Sequence, residues 1–273
     1  MRIAWVGGVW LLMCSLGMIA NAYAWNDMGH CVIAQIAEHQ LSDAAKQRIQ
    51  PYQKAMSSHT RPMSFVSSAT WLDKIKRQHI PWFNTLHYIN IPFSLDGTVL
   101  PQVDQFNAVW AVEQAEKILA NPKATWLDKG VSLRIMLHVV GDLHQPLHSA
   151  TLVSSRHPDG DQGGNLLLLG KNPVAKNLHG YWDKAAGLLK PGCNRTAVMT
   201  MAQRIESQWP CTQVSVNTPP MVWAQESHQL AKEFAYQVAD GAVPSKKYQD
   251  KAQLIATQRL AAAGCRLAVL LNR

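Results

Sequence analysis

Histidines and aspartates recur at helical spacing in two segments of this chain. His138 and Asp142 are four residues apart in an apolar stretch, and His179 and Asp183 repeat that interval. Residues four apart share one face of a helix, so each pair would direct an imidazole and a carboxylate to the same side. Both groups are good zinc ligands, and buried carboxylates rarely persist without a partner or a metal. The spacing therefore predicts a zinc cluster, which can lower the pKa of a bound water and make it a nucleophile.

The elements that position these residues are predicted to be helices, from apolar periodicity, helix caps and the breaks at prolines and glycines. The predicted helices are 29–40, a segment beginning at Ser42, 64–77, 104–120, 125–145, 178–188, 194–207, 221–240 and 245–270. Residues 79–97 should be irregular, and Pro146 should end the helix that carries His138. The predicted fold is a single all-α domain with a long loop facing the site and minimal β structure, which a leucine run after Asn165 could supply.

The first 24 residues are predicted to be a signal peptide. Arg2 supplies a positive start, an apolar segment follows from Ile3 to Ala20, and Ala22-Tyr23-Ala24 matches a signal-peptidase site. Cleavage there would leave Trp25 as the new N-terminus and residues 25–273 as one domain. No other stretch is expected to approach membrane-spanning length, so the mature protein should be soluble and either periplasmic or secreted. The alternative is that the first segment is a membrane anchor.

Four cysteines follow this segment, and an even number in an exported protein predicts two disulfides. Three connectivities are possible. The favoured pairs are Cys31–Cys265, which would tie the first helix to the last, and Cys193–Cys211, which would close a short loop. A zinc site made of cysteines is disfavoured because the chain has no C-x-x-C pair.

Basic residues outnumber acidic ones, 26 to 18, for a formal charge of +8. Such a surplus suits an anionic partner such as nucleic acid or an anionic membrane surface. The chain has neither a G-x-S-x-G motif nor a candidate catalytic cysteine, so a nucleophile supplied by a side chain is not expected.

Five segments in order carry a resemblance to a known family. They are Trp25–His30, Trp71–Asp73, His87–Asn90, His138–His148 and Asn177–Asp183. A single H-x-x-x-D is common by chance, whereas this set is specific and spans nearly all of the mature chain. The sequence resembles the zinc-dependent single-strand-specific nucleases of the mung bean nuclease type, which share a fold with bacterial zinc phospholipases C.

The resemblance implies three zinc ions. The first would be held by Asp73, His87, His138 and Asp142. The second would be held by the amino group and carbonyl oxygen of Trp25, by His30 and by a bridging Asp142. The third would be held by His148, His179 and Asp183. Inside a peptide bond the nitrogen of Trp25 has no lone pair to give to a metal, and cleavage before Trp25 converts it to a free amino group. The resemblance therefore makes signal cleavage part of the mechanism.

The implied activity is hydrolysis of single-stranded DNA and RNA to 5′-phosphate products, together with 3′-nucleotidase activity. Asp73, Asp142 and Lys76 would be the catalytic residues, and the enzyme is expected to be a monomer without stable membrane association. Lys76 stands where family members often have an arginine that clamps the phosphate; lysine keeps the charge but loses the bidentate fork. Asn90 stands where some members read the base with an aspartate, so base preference cannot be carried over.

Further substrate contacts are implied by the loop and the irregular segment. Asp161–Asn165 resembles the family's D-x-G-G-N loop, in which Asn165 would reach substrate. Tyr88 and Phe93, beside His87, are candidates for stacking on bases. His144 lies in the motif without an assigned zinc and is predicted to be structural or to orient a ligand. Three tryptophans at helical positions are expected in the core: Trp71, Trp182 and Trp223.

Two other functions compete with this interpretation. A zinc phospholipase C is the first alternative, but that branch tends to have Glu in the place of Asp183 and lacks the D-x-G-G-N loop. A zinc-storing or zinc-stabilised binding protein is the second, and an open site with several zinc ions argues against it.

Overall fold

The computed structural model describes residues 25–57, 63–76 and 81–273, with only the backbone given for Lys76, Pro81 and Trp82. The predicted signal segment 1–24 and the side chain of Lys76 therefore lie outside the described residues.

The described chain is mostly helical, which confirms the predicted all-α fold. The α-helices are α1 Asp27–His39, α2 Asp43–Ser57, α3 Phe65–Ser68, α4 Trp71–Lys76, α5 Ala108–Ala120, α6 Trp126–Asp142, α7 Leu178–Asp183, α8 Arg195–Gln208, α9 Pro220–Leu230 and α10 Lys246–Asn272. Short 3-10 turns occupy Pro81–His87, Pro146–His148, Ala185–Gly187 and Cys211–Gln213, and a π-helical turn, Ala231–Ala235, follows α9.

Among the described residues, the β-sheet consists of two strands of three residues each. β1 (Pro92–Ser94) pairs in parallel with β2 (Thr151–Val153). The leucine run after Asn165 does not form a strand; there, Leu168 makes only an isolated bridge to Asn177. The predicted helix 178–188 was too long, because α7 ends at Asp183 and the backbone then turns through positive φ at Ala185 and Ala186.

Side-chain caps begin the helices that carry the predicted site. The side chain of Asn26 accepts a hydrogen bond from the Gly29 amide at the start of α1, and Asn177 does the same for Gly180 in α7. Thr125 and Asp128 form a reciprocal capping box at the start of α6. These caps satisfy amides that have no partner within the helix, so each helix begins at a defined residue.

The core is built around α1, α6 and α10. A Cβ at Gly264 of α10 would lie 2.6 Å from Ile36 of α1, so the glycine permits this close approach of two helices. By length and composition α10 is long and apolar enough to cross a membrane. The expectation that no segment after the signal peptide approaches membrane-spanning length was therefore wrong. Most of α10 is buried inside the protein, which is the environment of a core helix.

The two disulfides pair differently from the prediction. Cys31 is bonded to Cys193 and Cys211 to Cys265, with Cα–Cα distances of 5.9 and 5.4 Å. The predicted pairs Cys31–Cys265 and Cys193–Cys211 were therefore wrong. The short-loop argument failed because the 14 residues of α8 lie between Cys193 and Cys211, and a helix of that length holds its ends roughly 20 Å apart.

Candidate metal centre

Trp25 and the first turn of α1 are attached to two other parts of the site. The indole of Trp25 is fully buried and donates to the carbonyl of Gly141, one residue before Asp142, at 2.9 Å. The Asn26 amide donates to the carbonyl of Asp183 at 3.0 Å. These bonds place the start of α1 between the end of α6 and the end of α7.

The first group of candidate ligands combines α4, α6 and the turn before β1. Asp142 Oδ2 lies 3.2 Å from His87 Nδ1 and 3.4 Å from His138 Nε2. Asp73 Oδ1 lies 3.9 Å from His87 Nδ1 and 3.8 Å from His138 Nε2. All four side chains are buried. Asp73 and Asp142 therefore each direct an oxygen towards the same two imidazole nitrogens, and the assignment of these four residues to one zinc ion stays a prediction.

The second group shares Asp142 with the first. The other carboxylate oxygen, Oδ1, lies 3.4 Å from His30 Nε2, so Asp142 presents one oxygen to each group. His30 stacks on His138 with ring centroids 3.8 Å apart. Both ring nitrogens of His30 are buried without a hydrogen-bond partner among the described residues. Burial, then the electrostatic influence of the neighbouring imidazoles of His138 and His148, holds the pKa of His30 well below its usual value.

The third group joins α7 to the turn that follows α6. Asp183 lies 3.7 Å from His148 Nε2 through Oδ1 and 3.6 Å from His179 Nε2 through Oδ2. The two Nε2 atoms are themselves only 3.2 Å apart. Gln145 donates to Asp183 Oδ1 at 2.7 Å and accepts from the Leu147 amide, so one side chain orients both the carboxylate and the turn that carries His148.

Backbone carbonyls fix the tautomers of three of these histidines. A carbonyl only accepts, so each Nδ1 bonded to one carries the proton and leaves a lone pair on Nε2. The three Nδ1 contacts are His138 to Ala69 at 2.7 Å, His148 to His87 at 2.6 Å and His179 to Gly163 at 2.8 Å. In the third group the two Nε2 atoms lie 3.2 Å apart, and both are within 3.7 Å of the Asp183 carboxylate. Neutral imidazole nitrogens and a carboxylate are good ligands for a divalent metal, so the donor set fits a metal cofactor.

The glycine loop supports the third group. A Cβ on Gly163, whose φ is +65°, would lie 2.4 Å from the Leu147 carbonyl, so only glycine fits where the backbone reaches His179. Asn165 donates to the Gln162 carbonyl at 2.9 Å and its amide oxygen accepts from Asn177 at 3.3 Å. The Asn165 amide thus braces the loop against the cap of α7. Its predicted contact with substrate stays a prediction.

The other predicted substrate contacts have different surroundings. Tyr88 and Asn90 are half-buried and follow His87 directly; burial and the charge of Asp104 raise the pKa of Tyr88. Phe93 is buried and meets Tyr236 edge-on at 5.1 Å, so the suggestion that it stacks on bases was wrong. Trp71, Trp182 and Trp223 are in the core, as predicted.

Sequence reasoning missed the role of Gln145 and the partners of His144. A glutamine directly before a proline is a usable signal, since its side chain caps the short turn that the proline begins. His144 donates to the Val140 carbonyl at 2.7 Å and accepts from Arg266 at 2.9 Å, so it is structural, as predicted. Arg266 lies 122 residues away in sequence and has no spacing that would reveal the contact.

The chain resembles known proteins over nearly all of its length. The profile of the S1/P1 Nuclease family matches residues 25–273. Endonuclease 2 of Arabidopsis thaliana is 28% identical over 298 residues, which cover 97% of this chain and 94% of that protein. Nuclease S1 of Aspergillus oryzae is 24% identical over 288 residues, which cover 94% of each. The chain therefore belongs to the S1/P1 nuclease family, and it is a nuclease, a hydrolase of phosphodiester bonds.

Proposed function

We propose that this nuclease hydrolyses single-stranded DNA and RNA to 5′-phosphate products and removes the phosphate of 3′-nucleotides, with three zinc ions as cofactors. The observation that carries the proposal is the convergence of three sets of buried side chains, in each of which the candidate ligand atoms lie within 4.8 Å of one another: Asp73, His87 and His138; His30, His138 and Asp142; and His148, His179 and Asp183. Zinc suits these groups because all the donors are imidazole nitrogens or carboxylate oxygens. When bound, the ions would supply Lewis acidity and lower the pKa of water at neutral pH.

The protein's own residues then have separate roles. Asp142 would bridge the first two ions, because its two oxygens face different histidines. Asp73, His87 and His138 would complete the first set, Trp25 and His30 the second, and His148, His179 and Asp183 the third. Lys76 would neutralise charge on the phosphate, and Tyr88, Asn90 and Asn165 would contact the nucleotide. Preference for single strands follows if a base must leave its stack to meet these residues.

The protein would be exported, with residues 1–24 removed and residues 25–273 forming the nuclease domain, in the periplasm or outside the cell. Two disulfides support an oxidising compartment. The family profile also begins its match at Trp25. The enzyme would act as a monomer. It would have no stable membrane association, because most of α10 is buried inside the protein.

The test uses protein that begins at Trp25, incubated with single-stranded DNA, single-stranded RNA, a 3′-nucleotide, duplex DNA and phosphatidylcholine, with and without a zinc chelator. We expect chelator-sensitive release of 5′-nucleotides from both single strands, slow cleavage of duplex and intact lipid. Metal analysis should return three zinc ions per chain. Lipid cleavage with nucleic acid intact would instead favour the phospholipase C alternative, for which the nuclease relatives give no support.

A second experiment addresses Trp25 alone. Protein with two extra residues before Trp25 has no free amino group there, so we expect it to bind two zinc ions and to lose most activity. An extension of equal length after Arg273 is the matched control. Full zinc content and activity in the N-terminally extended protein would remove Trp25 from the ligand set.

A further inference from the structure

A cavity of about 720 Å³ adjoins the metal centre. Asp73 and Asp183, which belong to different ligand groups, both line it, together with the segment 169–177 and Lys184. The predicted substrate contacts Tyr88, Asn90 and Asn165 are not among its lining residues. The cavity thus meets the metal centre through different residues from those expected to hold the nucleotide, and its volume is in the range of ligand sites.

The side chain of Asn172 makes four of the hydrogen bonds that order the segment 169–177. Asn172 accepts hydrogen bonds from the amides of Val174 and Ala175 and donates to the carbonyls of Gly170 and Ala175, all within 2.8–3.1 Å. Lys184 adds a bond of 2.7 Å to the Val174 carbonyl. A wall that is ordered before a ligand arrives loses little conformational entropy on binding.

The segment 169–177, which forms one wall of the cavity, carries two lysines that are not paired with an acidic residue among those described. Lys171 and Lys176 line the cavity, are exposed, and form no ion pair with another described residue. The acidic residues of the lining are Asp27 and the two candidate metal ligands Asp73 and Asp183. Metal ions would neutralise the latter two, which leaves the described lining basic and suited to a phosphate backbone.

We propose that this cavity binds the nucleotides on the 3′ side of the scissile phosphate, with Lys171 and Lys176 contacting their backbone phosphates. The inference rests on the proposed function. A 3′-nucleotide and a polymer share the nucleoside that bears the 3′ oxygen and the phosphate itself; only the polymer continues beyond that phosphate. Contacts that serve both reactions must hold the nucleoside and phosphate that the two substrates share. The separate basic cavity is therefore assigned to the nucleotides that follow the scissile phosphate in a polymer.

The experiment compares the double variant Lys171→Ala/Lys176→Ala with Lys117→Ala/Lys123→Ala, which removes two exposed lysines outside the cavity. Steady-state kinetics are measured on a thymidine oligonucleotide and on a 3′-nucleotide, and unchanged unfolding temperatures establish that both variants fold. We expect a severalfold rise in KM for the oligonucleotide in the cavity variant, no change for the 3′-nucleotide, and wild-type values for the control. Lys171→Arg/Lys176→Arg should restore the oligonucleotide KM, because it restores the charge.

Binding of a phosphorothioate oligonucleotide, followed by fluorescence anisotropy against salt, gives a readout independent of turnover. Loss of two phosphate contacts should reduce the slope of log K against log salt by about 1.4. The inference is overturned if the cavity variant matches the control, or if both substrates lose activity equally. Failure of the wild-type protein to cleave either substrate would instead overturn the proposed function, and the two results are therefore distinguishable.

Discussion

In the metal centre three aspartates face five histidines, whereas in a second cluster the half-buried Glu226 faces the buried Arg259 and Arg266. Glu226 accepts from Arg259 at 2.7 Å and from two nitrogens of Arg266 at 2.7 and 2.8 Å. Burial raises the pKa of Glu226, but the hydrogen bonds and charges of the two arginines outweigh it and lower the pKa overall. In the Glu226 cluster each charged side chain pairs with a side chain of opposite charge, whereas in the metal centre carboxylate oxygens and imidazole nitrogens converge within 4.8 Å of one another.

The two clusters meet at the end of α6. Arg259 donates to the His144 carbonyl at 3.3 Å, and Ser227 donates to the Leu143 carbonyl at 2.6 Å. These carbonyls lie just beyond Asp142 and have no acceptor role inside the helix. The Glu226 cluster therefore fixes the helix end that carries the bridging carboxylate. The comparison teaches that converging carboxylates and imidazoles mark a place that suits a cation, and that a cluster of paired opposite charges can act as a support.

The largest effect should come from Asp142→Asn. Loss of the bridging charge removes a ligand from two of the proposed ions, so we expect activity to fall at least about a thousandfold, equivalent to several kcal/mol of transition-state stabilisation. Zinc content should fall from three ions. Asp159→Asn, an exposed aspartate, is the control. Near-normal turnover with full zinc would show that the two groups do not share Asp142.

Glu226→Gln should damage stability rather than chemistry. It leaves two buried guanidinium groups without their counter-charge, and because Glu226 is itself one-third exposed we expect a loss of about 3 kcal/mol, the lower end for a broken buried ion pair. Chemical denaturation measures it, with Glu113→Gln as the exposed control. The distinction between the clusters breaks down if stability is unchanged while zinc content falls.

Gln145→Leu should weaken metal binding without unfolding the protein. The change keeps volume but removes the donor to Asp183 and the acceptor for Leu147, and partners of ligands typically contribute 10–100-fold to metal affinity. Competition with a coloured chelator should show one of the three ions binding more weakly. Gln237→Leu, at an exposed site, is the control. Equal affinity at all three sites would mean that Asp183 keeps its position unaided.

The smallest effect concerns the pH dependence of stability through His144. Burial, then the charges of Arg259 and Arg266, hold its folded pKa well below the usual value. Below about pH 6.5 the unfolded chain binds a proton that the folded chain does not, so stability falls as pH is lowered, by at most about 1.4 kcal/mol per pH unit. The free energy of unfolding of the His144→Gln variant should depend less steeply on pH than that of the wild-type protein. Both proteins are unfolded in the presence of a zinc chelator. Identical slopes would contradict a neutral, buried His144.

Local signals predicted much of the site. The four-residue intervals in α6 and α7 placed imidazole and carboxylate on common faces, and both pairs do converge with Asp73, His87 and His148. The all-α fold also follows from apolar periodicity, which a helix reports within a few turns. Helix ends were less accurate, since 104–120 begins at Ala108 in the structure, where Asn107 caps the helix.

What only the tertiary structure decided depends on residues far apart in sequence. Disulfide pairing needed the straight length of α8 between Cys193 and Cys211, and the burial of Phe93 needed the parallel pairing of β1 with β2. The support of His144 by Arg266 and the cavity beside Asp73 and Asp183 arise in the same way. Periodicity and spacing are properties of one element, so the sequence by itself determined which residues share a helix face. Packing between elements decided which faces meet, and with them which charged groups pair with one another in the metal centre and in its support.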